Sequence, residues 1–186
     1  MGSLGEQSSG DAPMKRPIFA VVIGINEYVS SSYDNLRAAA QDADRFNSYL
    51  AQNLGVPSDN IRNLRDKNAS RDAIIESISW LTHHDEVKKD EAAIIIYFAG
   101  HGAFKNKEVK GIQMICPSDI DTAIPAGNGH SKLVKGLSRV ELAELFINLS
   151  KAKGDNIVRT KIMDLRTNSI NSLFRRFSST AVIPLG

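Results

Sequence analysis

The chain has 186 residues, 42% of them hydrophobic and 24% charged, a balance that fits one soluble domain with a proper core and excludes a low-complexity chain. A net charge of +2 without a dense Lys/Arg run gives no reason to expect nucleic acid or an anionic membrane as partner. No apolar run reaches the roughly 18 residues of a membrane span. The single cysteine, Cys116, admits no internal disulfide, so a cytoplasmic or nuclear setting is expected.

Residues 1–16 are Gly/Ser-rich and polar, lack the apolar core of a signal peptide, and read as a disordered leader. Ile18 to Asn26 is a charge-free run ending near Gly24, the pattern of a strand buried on both faces. After a polar loop, Leu36, Ala40, Ala43, Phe46 or Asn47, and Leu50 recur at helical spacing, which predicts a helix over Asn35–Asn53, stopped by Gly55 and Pro57. Asn60–Leu64 is a more polar strand, suited to a sheet edge. Ser70 can cap a helix with Ile74, Ile78 and Leu81 on its inner face.

Ala92 to Ala99 has no charge and is rich in β-branched and aromatic residues, as the middle strand of a parallel sheet would be. It stops at Gly100-His101-Gly102. Gly111 to Pro117 reads as a fourth strand, followed by a Gly/Pro/Ser-rich connection over 117–137. Ser138-x-x-Glu141 has the form of a capping box and opens a helix to about Lys153, with Leu142, Leu145, Phe146 and Leu149 inward and Gly154 as its cap. Strands separated by helices of crossover length predict an α/β fold, a mostly parallel sheet flanked by helices in three layers.

Open α/β sheets place functional groups at their carboxyl edge, which is where His101 falls. The plainer alternative is that His101 ends a strand and bonds to a backbone carbonyl. Asp42 is either a solvated helix charge or faces a cleft past the first strand. Cys116 reads first as a small buried residue, and a nucleophilic role would require it beside His101. No Walker loop or Rossmann fingerprint is present, and the spacing of the histidines gives no metal site.

Five motifs occur in order: Phe19-Ala20-Val21-Val22-Ile23-Gly24-Ile25-Asn26-x-Tyr28, Leu36-x-Ala38-Ala39-x-x-Asp42-Ala43, Tyr97-Phe98-Ala99-Gly100-His101-Gly102, Ile115-Cys116-Pro117-x-Asp119, and Lys151 to Ile157. In these the chain resembles the catalytic half of the caspase/metacaspase family, most of all its fungal members. The resemblance implies a caspase-like fold and a cysteine endopeptidase with a Cys-His dyad. His101 would be the histidine of that dyad, and backbone N–H groups near Gly102 would stabilise the oxyanion. It implies cleavage after Arg or Lys, with Asp42 among the acids that receive the cation, and a role in a cell-death or stress pathway. Ala99 stands where the family often has a pocket serine. Some members need calcium, whose acidic cluster is not clear in this sequence. Expected partners are a peptide or protein substrate and another caspase-like chain, with no nucleic acid and no membrane.

The family nucleophile follows its histidine by roughly 50 residues. No cysteine follows Cys116 in this chain. Aligning the window Lys161 to Ser169 puts Asp164 on the motif's aspartate, a substrate-binding position, and Arg166 on the nucleophile. Arginine stays protonated and cannot serve. The expectation is therefore a peptidase domain over 17–157 and a divergent segment over 158–186, with the last strands of the sheet missing and activity weak or absent. The alternative is a catalytically dead caspase-like partner that regulates an active relative.

Overall fold

The structure, a computed structural model, describes residues 16–103 and 114–163. At its centre is a parallel sheet of four strands. Strand β1 (Ile18–Gly24) lies between β2 (Ile61–Arg65) and β3 (Ala93–Gly100), and β9 (Ile157–Met163) pairs with the other side of β3. Ile18 stands opposite Ala93, and Gly24 opposite Ala99. The more polar β2 is at an edge, as its composition predicts.

The two inner strands are buried on both faces because helices cover both. Phe19, Val21, Ile23, Ile94, Ile96 and Phe98 point to one side. There they meet helix α2 (Arg71–His83) through Ile74, Ile78 and Leu81, and helix α3 (Arg139–Lys153) through Leu142, Leu145, Phe146 and Leu149. Ala20, Val22, Ile95, Tyr97 and Ala99 point to the other side, against helix α1 (Ala39–Ser48). This is the three-layer α/β arrangement expected. The caps also form as the sequence predicts. Ser70 Oγ accepts the Ala73 N–H at 3.3 Å, the Ser138–Glu141 capping box is complete, and Gly154 ends α3 at φ 86°.

Three expectations are corrected. The first helix begins at Ala39, not Asn35, because residues 35 and 36 are spent on the loop before it. Asn35 Oδ1 accepts the Tyr28 N–H at 3.1 Å, and Leu36 donates its N–H to Asn26 O at 2.8 Å. The expected fourth strand is present among the described residues only as β5 (Met114–Ile115). It lies outside the parallel sheet, antiparallel to β4 (Gly102–Ala103) and β8 (Leu137–Ser138). The 117–137 connection contains a hairpin, β6 (Ala123–Gly127) and β7 (His130–Leu133), turned by Asn128 and Gly129 at positive φ. Position 158 falls inside β9, whose Ile-Val-x-Thr-x-Ile pattern is that of a strand.

Candidate active site

His101 follows the last residue of β3 and is half-buried. Its backbone is held on both sides. The His101 N–H donates to the Tyr28 hydroxyl at 2.8 Å, and the His101 carbonyl accepts the Cys116 N–H at 3.0 Å. The imidazole is held as well, with Nε2 2.7 Å from the carbonyl oxygen of Asp34. A carbonyl can only accept, so Nε2 carries the proton. In the neutral ring the lone pair is then left on Nδ1.

The loop that supplies Tyr28 and Asp34 is fixed from below. Asp66 Oδ1 accepts the N–H groups of Asn26 and Glu27 at 2.7 and 3.0 Å. Asn26 Oδ1 accepts the Ala40 N–H at 3.1 Å, so it caps the start of α1 from the end of β1. Val29 donates to Ser118 O at 2.9 Å, tying the loop to the segment after β5. That segment is itself docked on α2, where Asp119 Oδ1 accepts the Arg71 N–H at 2.8 Å.

Three rings gather at this point. Tyr28 is 4.9 Å from the imidazole by ring centroids, Tyr33 is 6.1 Å from it, and the two tyrosines stack at 5.7 Å. Burial raises both tyrosines well above their ordinary pKa, and the nearby Cys116 adds to the rise in Tyr33. Both hydroxyls therefore stay protonated at any working pH.

A second feature lies on the α1 face. Asp42, Arg45, Phe46, Tyr49, Tyr97 and Thr160 line an open groove of about 470 Å³. Phe46 and Tyr97 stack at 4.5 Å. Tyr97 is pushed up first by burial and then by the charge of Asp42. Asp42 pairs with the exposed Arg45 at 3.4 Å.

A family model described as the caspase domain matches residues 18–151. The chain belongs to the caspase-domain family. It is 30% identical over 114 residues to Metacaspase-3 from Arabidopsis thaliana, a match that covers 55% of this chain and 30% of that protein. A crystal structure of protein GSU0716 from Geobacter sulfurreducens is similar in fold, with a TM-score of 0.51 at 19% identity. That match covers 80% of this chain and half of the other. The chain thus spans well under two thirds of the length of both.

Within this caspase domain the candidate residues do not all converge. His101 and Gly102 sit at the carboxyl edge of the sheet, Gly102 paired with Ile115. Asp42 is on α1 with its side chain 30% exposed, on the groove. Ala99 is fully buried between the sheet and α1 and offers no surface in this arrangement. Cys116 is brought beside His101 through the backbone, but it too is fully buried, within the core on the α2 side. Asp164, and Arg166 with it, lie outside the described residues. Asp34 and Tyr33 were not legible as site residues. Asp34 acts through its carbonyl, which every residue has. Tyr28 carried a signal, as the last residue of the first motif.

No helix among the described residues is long and apolar enough to cross a membrane. Nor does any group of His, Cys, Asp or Glu among them have the form of a metal site.

Proposed function

We propose that this chain is a caspase-like cysteine endopeptidase domain acting on peptides or proteins after Arg or Lys, in a cell-death or stress pathway. The observation that carries the reading is the Nε2-to-Asp34 bond, which leaves Nδ1 of a neutral His101 as a base at the carboxyl edge of the sheet. In the proposed step, Nδ1 takes the proton of a thiol, for which the sequence offers Cys116 alone, as its sulfur attacks the peptide carbonyl to form a thioester. The imidazolium then gives that proton to the leaving amine. The bond to Asp34 O keeps the ring from turning between the two transfers. Asp42 at the aromatic groove supports a cationic side chain as the group recognised, since a carboxylate beside Tyr and Phe rings suits a guanidinium or ammonium.

The plainer role of a strand-ending histidine bonded to a carbonyl describes the same contact, and the two are compatible. What the chain lacks is a thiol at the expected place. No cysteine follows Cys116 in the sequence, and Cys116 is enclosed. That observation favours a second reading, an inactive caspase-like chain that binds an active relative.

The test is hydrolysis of fluorogenic peptides ending in Arg, Lys or Asp, with and without calcium, by the chain and its His101→Ala and Cys116→Ala variants. The first reading predicts weak Arg- and Lys-directed cleavage that disappears both in His101→Ala and in Cys116→Ala, since Cys116 is the single thiol of the chain. Preference for Asp would overturn the specificity. No cleavage by a folded chain would leave the second reading, to be checked by co-purification with an active caspase-like peptidase.

A further inference from the structure

We infer that Tyr28 is a positioning residue for His101, one that holds the imidazole to a single tautomer through the peptide bond that precedes it. The inference rests on the proposed role of His101 as the proton-transfer group.

β3 ends at Gly100, and the chain resumes pairing at Gly102 in a different sheet. His101 is the joint between them. Its N–H donates to the Tyr28 hydroxyl at 2.8 Å, a partner 73 residues away in sequence. Its carbonyl is already committed to Cys116. The Tyr28 hydroxyl therefore sets the orientation of the Gly100–His101 peptide, and that peptide sets where the Cβ of His101 points.

Three observations favour a dedicated fit over an incidental contact. Tyr28 is itself buried at 9% exposure, and its own N–H is held by Asn35. Its ring lies 4.9 Å from the imidazole it positions, so hydroxyl and ring act on one residue. Gly100 is the space that lets the hydroxyl reach the peptide. A Cβ there would stand 3.1 Å from the Tyr28 oxygen and 2.9 Å from the Phe98 ring. The loop that carries Tyr28 also carries Asp34, whose carbonyl holds Nε2. One loop therefore grips His101 at two atoms, and loss of the Tyr28 grip should loosen the other.

The experiment uses ¹⁵N NMR of the ring nitrogens and amides of the full chain at neutral pH, comparing the parent with Tyr28→Phe and Tyr33→Phe. Both variants lose a hydroxyl from the same ring cluster, but only Tyr28→Phe loses the bond to the His101 N–H. In the parent, His101 is expected to be a single Nε2–H tautomer. In Tyr28→Phe both tautomers should be populated, and the His101 amide should exchange about tenfold faster, the change that goes with one lost hydrogen bond. Tyr33→Phe should keep the parent tautomer.

A folded Tyr28→Phe chain that retains one tautomer, with amide exchange within about twofold of the parent, would overturn the inference. So would a Tyr33→Phe chain that spreads the tautomers equally. If Tyr28→Phe does not fold, Gly100→Ala decides. It keeps the hydroxyl but displaces it, and mixed tautomers support the inference while an unchanged ring refutes it. The readout needs no turnover. A chain that cleaves nothing defeats the peptidase reading and leaves this test intact, and a cleaving chain indifferent to Tyr28→Phe defeats the inference alone.

Discussion

His101 is gripped at its amide, its carbonyl and its ring, and the grips come from two segments: the loop of Tyr28 and Asp34, and Cys116 after β5. A side chain fixed in this way loses little entropy when it reacts, which is the physical content of preorganisation. The same economy of space appears at Gly24, where β1 meets α1. A Cβ at Gly24 would stand 2.5 Å from Ala43 Cβ and 2.7 Å from Ala39 O. Gly24→Ala should therefore force α1 outward, with a loss of about 1–3 kcal/mol of stability. Because α1 carries Asp42, any cleavage of Arg peptides should weaken through KM. Urea denaturation of the variant checks the first part, and an unchanged midpoint would show that α1 gives way freely.

Two kinds of element serve the site. Some are rigid and carry it. The start of α1 is capped by Asn26 and the start of α2 by Ser70 and Asp119, and the start of α3 by its own box, where Arg71 bonds Glu141. Asn26 and Asp119, each part of one of the five motifs, both close a helix end that lies elsewhere in the chain. The other kind is peripheral. Every residue of the β6–β7 hairpin is exposed, and the hairpin is closed at its base by Val134 N–H to Thr122 O at 2.9 Å and Asp121 N–H to Val134 O at 2.8 Å. A two-stranded hairpin without a buried face adds little stability. Replacing Ala123–Leu133 by an Asn-Gly turn should change Tm by no more than a few degrees. A loss beyond about 5 °C would show that other parts of the chain brace it.

On the scale of the molecule, three tyrosines, Tyr28, Tyr33 and Tyr97, have pKa values raised chiefly by burial. The fold favours their neutral form. Their contribution is fully present below the ordinary tyrosine pKa of about 10 and is lost as pH rises through the folded values. Stability should therefore fall above about pH 10, and Tyr28→Phe should flatten part of that fall. Urea midpoints between about pH 8 and 11 measure both slopes, and equal slopes would rule out the tyrosines as the cause. The sheet and its layers were legible because the buried strands are runs of β-branched and aromatic residues, and because the helices repeat at their own period with their caps written beside them. The place of His101 at a strand end was legible for the same reason. The strand Ile157–Met163 was harder to read, since Arg159 and Lys161 interrupt its β-branched pattern, and its pairing with β3 shows its place in the sheet. What the sequence determined by itself was whatever depends on neighbours within a few residues: strand, helix, cap, and the family written in their order. What only the tertiary structure decided was which distant groups meet. Tyr28 and Asp34 reach His101 from 73 and 67 residues away, through a hydroxyl and a carbonyl. A hydrogen bond across that separation is set by the folded path of the chain and leaves no local pattern to read.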